Sequence, residues 1–437
     1  MSRLENLPPV IKPRIGFIGG GPQTVYHLER LGLRDDVTVA AVALVPRSVA
    51  DPRSRPREPV AESAAASPAA AESATPVSAS SAYSWLSRIV PDANVYPTPE
   101  YLLQPGVCDL VWIDSGDSQA YYWAGVALNG GLPIVVDTWY GITAQDCADL
   151  AYRAESSGTW ALFVAPHRRF DDQLAAHQLV STGQLGSLRQ MNLTVGQYWP
   201  ESIARSSAEA GPADDREAED HHAADDDRSV SPGARSGTAL RSPGQLVGQL
   251  RQLTWIIAQF DNLLQLVEEP VAQVMAHWIP RERPHQPIQR RTVPVTLTPL
   301  PAMPLPGTAS AQAATVFDLL AVPLSRSVGL LATVEFESGL VATLDLNWAT
   351  ALPRLNGWSL EGDQASYCAL THYSATEDGE IVDAPFLPPG AAGDEFHDEL
   401  ARFLCHRAAM PATLHELARV CQLIEACALS AAGGPAK

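Results

Sequence analysis

The sequence of 437 residues has almost no lysine. The two that it has, Lys12 and Lys437, lie near the chain ends, so nearly all of its 30 basic residues are arginine. A mechanism that needs a lysine acid in the middle of the fold is therefore excluded. Acidic residues outnumber basic ones and give a formal net charge of −19. This charge argues against nucleic acid and anionic membrane surfaces as partners.

Long apolar runs and paired cysteines are also missing. No window approaches the ~18 uninterrupted apolar residues of a membrane span, so no membrane association is expected. The first 13 residues lack the apolar core of a signal peptide. The six cysteines form no C-x-x-C pair, and most lie among apolar residues. They predict buried thiols of a cytoplasmic protein, with no metal site and no disulfide framework.

One stretch near the N-terminus organises the rest of the chain. Ile15–Ile18 predicts a short buried strand, Gly19 and Gly21 allow a tight turn, and Val25–Leu33 has the apolar spacing of a helix. This order aims backbone N–H groups and the positive end of a helix dipole at a pyrophosphate. Thr24 stands at the third glycine of G-x-G-x-x-G and crowds the helix–strand contact. Glycine-rich turns of this kind also serve packing alone. The predicted dinucleotide contacts are Gly19, Gly20, Gly21, Pro22 and Gln23.

The second predicted strand, residues 37–45, bears on the choice of dinucleotide. NAD-preferring proteins usually carry Asp or Glu at the end of this strand, where the present chain has Leu44. Arg47 follows soon after and is suited to a 2′-phosphate. An arginine that merely opens a charged loop explains the position equally well. The expected cofactor is therefore NAD or NADP, with NADP slightly favoured.

Strand and helix patterns alternate up to residue 165. Further buried strands are predicted at 109–113, 133–137 and 160–164, each separated from the next by a helical pattern. Such alternation predicts a parallel sheet covered by helices on both faces, in a domain of residues 13–165. The chain belongs to the α/β class on this pattern.

The spacing of apolar residues along the sequence changes beyond residue 165. Residues 328–336 and 340–348 alternate strictly around Glu337-Ser338-Gly339, which is typical of a hairpin. Together with helical patterns at 245–267 and 394–432, they predict an α+β domain of residues 166–432 with a mainly antiparallel sheet.

Three segments carry few large apolar side chains. Residues 47–82 and 201–243 are rich in Ala, Ser, Pro and charged residues, and residues 281–315 form a Pro-rich loop. Because such compositions bury too little surface to offset the entropy of ordering, the first two are predicted to be disordered inserts.

The order and spacing of several motifs resembles the Gfo/Idh/MocA family, named for glucose–fructose oxidoreductase and inositol dehydrogenase. The residues that carry the resemblance are Gly19-x-Gly21 with His27, Leu132–Asp137, Arg168-Arg169-Phe170-Asp171, Ser181–Gly186, and Asp261 through Glu269-Pro270-Val271. The resemblance implies a Rossmann domain followed by an open antiparallel sheet that commonly serves as an oligomer interface. It also implies NAD(P)-dependent chemistry on sugars, polyols or related carbonyl compounds, with Asp137 and Arg168 among the cofactor contacts.

The family's acid–base residues are replaced in this sequence. Its Glu-Lys-Pro is matched by Asp137-Thr138-Trp139, and its helical Asp and His, four apart, are matched by Thr254 and Ala258. A hydride that leaves a carbinol carbon requires loss of the hydroxyl proton, normally to a positioned base. Threonine and alanine do not serve as that base.

Two nearby residues are candidate substitutes. His167 follows the strand 160–164 at the carboxyl edge of the sheet, and histidine side chains ordinarily titrate near pH ~6.5. Tyr140 lies three residues beyond Asp137 and is a possible proton donor. A loop-capping histidine and a core tyrosine are the alternatives.

Two functions from different classes follow from these features. The first is an NAD(P)-binding oxidoreductase-like protein that acts on a sugar, a polyol or a related carbonyl compound through a substitute acid–base group. The second is a catalytically degenerate dinucleotide-binding sensor, scaffold or regulatory subunit. The resemblance implies a sugar-like small molecule as ligand and a homo-oligomer formed through the second sheet.

Overall fold

The computed structural model describes most of the two predicted domains. The residues described are 12–20, 22–44, 85–114, 119–137, 143–196, 243–280, 292–294, 320, 327–348, 357–376, 378, 380–386, 395–406, 408 and 411–431. The insert predicted at 47–82, the one at 201–243 apart from its last residue, and most of the Pro-rich loop lie outside them. Within the described ranges, no helix is long and apolar enough to cross a membrane.

The N-terminal half forms a six-stranded sheet in which every strand pair is parallel. The strand order is β3-β2-β1-β4-β5-β6, which reverses direction between β1 and β4. The elements are β1 Arg14–Gly19, α1 Pro22–Gly32, β2 Thr38–Leu44, α2 Leu86–Ile89, β3 Asn94–Tyr96, α3 Pro99–Leu102, β4 Leu110–Asp114, α4 Gln119–Asn129, β5 Ile134–Val136, α5 Ala144–Ser156 and β6 Ala161–Phe163.

Strands β1, β4, β5 and β6 are buried on both faces, which explains their largely apolar sequences. Helices α4 and α5 cover one face, and α1 covers the other. A helix from the far end of the chain, α8 (Glu395–His406), joins α1 there, because Phe396 and Leu400 belong to the same buried cluster as Phe17 and Trp112. The rings of Phe17 and Trp112 stack at 5.4 Å between centroids.

The second half forms a nine-stranded sheet of order β15-β14-β13-β12-β7-β11-β10-β8-β9. Strands β7 and β11 run parallel, and all the other pairs are antiparallel. Its elements are α6 Asp171–Ser181, β7 Leu188–Gly196, α7 Pro243–Leu266, β8 Val271–Pro280, β9 Thr292–Pro294, β10 Ser327–Phe336, β11 Val341–Asn347, β12 Gly357–Gly362, β13 Ala365–Cys368, β14 Thr371–Ala375, β15 Ile381–Pro385 and α9 Leu414–Ala431.

The hairpin predicted around residues 337–339 is present as β10 and β11. Gly339 has a φ of 88°, a conformation that favours glycine, and so permits the tight turn. The Pro-rich loop prediction was incomplete, because β9 lies inside it and pairs with β8. Along β11 the side chains alternate between buried (Ala342, Leu344) and half-buried (Thr343), so one face of this sheet is covered and the other is open.

The C-terminal helices connect the two sheets. Helix α9 packs against α5, α7 and β8. Just before α9, the backbone N–H of Phe163 on β6 donates to the carbonyl of Ala412 at 3.1 Å. The architecture confirms the predicted α/β class, with a Rossmann-ordered parallel sheet and a second, open and mainly antiparallel sheet. The division of the chain at residue 165 stays a prediction, since α8 completes the core of the first sheet.

Candidate functional site

Four chain segments meet at the carboxyl edge of the six-stranded sheet. Because β1, β4, β5 and β6 are parallel neighbours, residues at or just beyond their carboxyl ends line this edge in spatial order: Gly19, Asp114, Asp137 and His167. The strand order reverses between β1 and β4, and ligands of open α/β sheets bind in the crevice at such a reversal. The candidate site therefore begins where α1 starts, beside this crevice.

The turn from β1 into α1 brings three elements close together. A Cβ atom on Gly19 would lie 2.5 Å from Oγ1 of Thr24 and 2.7 Å from the carbonyl oxygen of Asp114. The second of these is rigid backbone, so glycine is required at this position. Gly20 is exposed and precedes the helix, whose first residues are Pro22 and Gln23. This part of the predicted pyrophosphate site has the expected backbone arrangement.

Thr24 does more than crowd the contact between helix and strand. Its hydroxyl donates to Oδ2 of Asp114 at 2.5 Å, and both residues are fully buried. Asp114 was not among the predicted site residues. The signal that could have revealed it is a carboxylate at the end of an otherwise apolar strand, Leu110–Asp114.

His27 links Asp137 to a second histidine. Nε2 of His27 lies 2.8 Å from Oδ2 of Asp137, and Nδ1 of His27 lies 2.9 Å from Nε2 of His397 on α8. The side chain of His27 is 3% exposed and that of Asp137 is 13% exposed. The ring of His397 stacks on Trp112, with centroids 5.7 Å apart and planes 9° apart.

The hydrogen bonds that link Asp137, His27 and His397 define which ring nitrogens carry a proton. An ionised carboxylate only accepts, so Nε2 of His27 donates to Asp137. If His27 is neutral, its Nδ1 accepts and Nε2 of His397 donates to it. Sequence reasoning missed His397 because it lies 370 positions from His27, and no local pattern predicts that pairing.

A second histidine–aspartate pair lies beyond β6. His167 and Arg168 both lie in a 3-10 helix, Pro166–Arg169. Nε2 of His167 is 2.6 Å from Oδ2 of Asp261 on α7, and Arg168 donates two hydrogen bonds of 2.7 Å to the same carboxylate. Burial alone would raise the pKa of Asp261, but hydrogen bonds and charge attraction from Arg168, aided by His167, lower it to about 2.

Comparisons with known proteins identify the fold. No protein-family model and no curated protein matches the sequence. Solved structures do match: an NAD-binding protein from Listeria innocua has 14% identity and a TM-score of 0.57, with 96% of each chain covered. An oxidoreductase from Bacillus cereus has 14% identity and a TM-score of 0.58, with 95% of each chain covered. A candidate myo-inositol dehydrogenase from Sinorhizobium meliloti 1021 has 14% identity and a TM-score of 0.55, with 96% of this chain and 98% of that one covered.

The chain shares the fold of these NAD-binding and oxidoreductase structures. Identity at this level establishes the fold alone, and the fold expected from the sequence motifs is confirmed.

Within this fold, the predicted site residues are placed as follows. Asp137 and His167 lie at the carboxyl edge, as their positions after β5 and β6 predicted. Arg168 forms its hydrogen bonds within the protein. Besides its bonds to Asp261, its guanidinium donates to the carbonyl of Pro411 at 3.0 Å and to Glu416 at 3.3 Å. Gly21, Arg47 and Tyr140 lie outside the described residues, so their roles stay predictions.

The backbone arrangement of the described residues fits a nicotinamide dinucleotide. Gly19, Gly20 and the first turn of α1 would hold its pyrophosphate, and Asp137 lies further along the same edge. Such a cofactor accepts or supplies a hydride when bound. Among the described residues, no group of three or more His, Cys, Asp or Glu side chains is arranged to hold a metal ion.

Proposed function

We propose that this protein binds NAD or NADP in the crevice between β1 and β4. We further propose that it acts as an oxidoreductase on a sugar, a polyol or a related carbonyl compound. The observation that carries the proposal is the reversal of strand order at β1 and β4, with the glycine turn and α1 immediately beside it. The structural neighbours described as NAD-binding protein, oxidoreductase and candidate myo-inositol dehydrogenase support it.

Asp137 is the side chain that we propose to accept the substrate proton. Oxidation of a carbinol needs a base close to the hydroxyl, and the matched lysine and histidine of the family are replaced here. Asp137 lies at the proposed cofactor edge, is partly exposed, and receives a hydrogen bond from His27. His27 fixes the orientation of the carboxylate by donating Nε2–H to it, and His397 in turn holds the ring of His27.

His167 remains a further candidate for the same step. The buried carboxylate of Asp261 would orient its ring and stabilise an imidazolium, as a carboxylate does in hydrolase triads. However, the same carboxylate also neutralises Arg168, which reduces its effect on His167. Tyr140 stays a candidate proton donor from the sequence alone.

A catalytically degenerate sensor, scaffold or regulatory subunit is the second candidate function. The observation that favours it is the pair of replacements on α7, Thr254 and Ala258, where the family has its Asp and His. Neither side chain can take up a proton at neutral pH. Under this proposal the protein binds the dinucleotide without turning over a substrate.

Calorimetric titration with NADH and NADPH, followed by a screen of sugars and polyols for cofactor-dependent turnover, tests these proposals. We expect both dinucleotides to bind, and Arg47→Ala to erase a preference for NADPH. Asp137→Asn should lower turnover by about 10²–10⁴-fold. Binding without turnover of any substrate would favour the second candidate, and no binding at all would refute both.

We also propose that the open face of the nine-stranded sheet forms the interface of a homo-oligomer. The half-buried residues on this face include two cross-strand pairs of β10 and β11, Thr333 with Thr343 and Leu331 with Asp345. Light scattering of the purified protein should give a mass of at least two chains, and a mass of one chain would refute this interface.

A further inference from the structure

Helix α8 brings a segment from the far end of the chain back to the six-stranded sheet. Its apolar residues Phe396 and Leu400 are four positions apart, lie on the same face of the helix, and belong to the buried cluster that α1 also covers. Three polar residues lie between them, and each pairs with a different segment of the N-terminal half. These residues are His397, Asp398 and Glu399.

His397 contacts the first histidine–aspartate pair. Its Nε2 lies 2.9 Å from Nδ1 of His27, whose own Nε2 lies 2.8 Å from Oδ2 of Asp137. Both rings are buried, with His27 3% and His397 2% exposed. Because the ring of His27 is bonded at both nitrogens, turning it over would place carbon atoms at both positions and break both hydrogen bonds. His397 therefore fixes the direction from which His27 reaches Asp137.

Glu399 contacts the segment that carries the second pair. Its carboxylate accepts two hydrogen bonds from the guanidinium of Arg169, one of them at 3.2 Å. Arg169 is the last residue of the 3-10 helix that contains His167. The side chains of Arg169 and Glu399 are 30% and 20% exposed, so water screens this ion pair only in part. Glu399 thereby holds the short segment from which His167 reaches Asp261.

Asp398 contacts neither histidine–aspartate pair. It pairs with Arg34, which lies between α1 and β2, ahead of the first residue of β2. Its side chain is 51% exposed. Asp398 thus adds to the docking of α8 without touching the candidate site, and it is a matched control for its two neighbours.

We infer that His397 and Glu399 are positioning residues of the candidate site, through which α8 holds both candidate proton acceptors, Asp137 and His167, in place. The inference rests on the proposed function, in which one of these two residues accepts the substrate proton. A base must keep a fixed position relative to the hydroxyl that it deprotonates. One helix that is distant in sequence joins two residues that follow different strands.

The test for His397 is NMR spectroscopy of the full chain labelled with ¹⁵N in its histidine rings. In the unmodified protein we expect a slowly exchanging Nε2–H signal of His27, assigned by its absence in His27→Gln. In His397→Phe the ring is held at one nitrogen only, so this signal should be lost to exchange with water. In His397→Gln, whose side-chain amide can donate to Nδ1 of His27, it should return.

Two results would overturn the role of His397. One is the absence of the His27 signal from the unmodified protein. The other is an unchanged signal in His397→Phe that is folded, as judged by circular dichroism. His397→Leu, which also lacks a ring nitrogen, replaces the phenylalanine variant if that protein does not fold.

The test for Glu399 is amide hydrogen exchange of residues 166–170. Glu399→Gln removes the charge that attracts Arg169, and we expect this segment to exchange about two- to fivefold faster, the effect of losing a partly exposed ion pair. Asp398→Asn removes the neighbouring charge and should leave both this exchange and the His27 signal unchanged. Equal acceleration by the two variants would show that α8 acts through its docking alone and would overturn the role of Glu399.

Turnover and dinucleotide binding separate this inference from the proposed function. With a substrate found in the sugar and polyol screen, His397→Phe should lower kcat by about ten- to hundredfold with little change in KM, whereas Asp398→Asn should change neither. An unchanged kcat in the folded phenylalanine variant would overturn the inference and leave the proposed function in place. The NMR and exchange measurements use no dinucleotide, so they decide the positioning contacts even where failure of NADPH to bind refutes the proposed function.

Discussion

The two histidine–aspartate pairs at the carboxyl edge of the six-stranded sheet differ in their third member. Beyond β6, Asp261 is fully buried and shared between His167 and the permanently charged guanidinium of Arg168. Beyond β5, Asp137 is partly exposed, and its partner His27 continues to a second histidine, His397.

This difference distinguishes a pair that stabilises the fold from a pair that can exchange protons. A carboxylate with a pKa of about 2, fixed by arginine, stays ionised at every ordinary pH. It therefore joins α7 to the end of β6 as a structural contact. Two linked imidazoles can each carry the proton of their shared hydrogen bond, and the exposed end of that chain faces the proposed cofactor edge.

The largest expected effect comes from Asp261→Asn. Removing the charge of Asp261 leaves the largely buried guanidinium of Arg168 with a more distant carboxylate, that of Glu416 at 3.3 Å. We therefore expect a loss of about 3–5 kcal/mol in the free energy of unfolding, measured by urea denaturation. Asp109→Asn is the matched control, because the guanidinium of Arg14 likewise makes two hydrogen bonds to Asp109, in a pair that is more exposed to solvent. That variant should lose only about 1 kcal/mol. Equal losses would remove the distinction between the buried and the exposed pair.

The second effect is the dependence of the free energy of unfolding on pH. The pKa of Asp261 falls from its ordinary 3.8 to about 2 in the folded protein. A lowered folded-state pKa contributes stability above the unfolded pKa, and this contribution is lost as pH falls from about 4 toward 2. At 1.36 kcal/mol per pKa unit, we expect a loss of about 2–3 kcal/mol, seen as a falling free energy of unfolding. Asp261→Asn should lack this component of the slope, and an unchanged slope would contradict the assignment.

The smallest effect concerns the hydrogen bond between the two histidines. His397→Phe keeps an aromatic ring against Trp112 but removes the partner of His27, whereas His397→Gln keeps a donor. We expect the phenylalanine variant to be less stable than the glutamine variant by about 1 kcal/mol, the net value of one hydrogen bond. His415→Gln, at an exposed His–Glu pair, is the control and should be nearly neutral. If the phenylalanine variant is the more stable one, the histidine chain does not stabilise the docking of α8.

The elements of this fold follow from local patterns to a large extent. A continuous apolar run such as Leu110–Asp114 predicts a strand that is buried on both faces. Strict alternation, as along Val341–Asn347, predicts a strand that is buried on one face. The short strands β3 (Asn94–Tyr96) and β9 (Thr292–Pro294) escaped prediction, because they lack the apolar run that marks the equally short β5 and β6. The return of α8 to the first sheet also escaped it, because long-range packing leaves no mark in local periodicity.

The candidate site was predictable in position but not in its contacts. The glycine turn and the strand ends located Asp137 and His167 at one edge. The third members of the networks, His397 and Asp261, come from α8 and α7, and their pairing depends on tertiary structure alone. Thr24 had been interpreted as a steric defect in a glycine motif, since its hydrogen bond to Asp114 depends on how α1 packs on β4.

Hydrogen–deuterium exchange with and without saturating NADPH tests the central claim most directly. If the dinucleotide binds between β1 and β4, added NADPH should slow amide exchange in peptides covering residues 14–32 and 110–114. Peptides of the distant β13 and β14, residues 365–375, should exchange unchanged. Protection confined to the nine-stranded sheet, or no protection anywhere at millimolar NADPH, would contradict the proposed site.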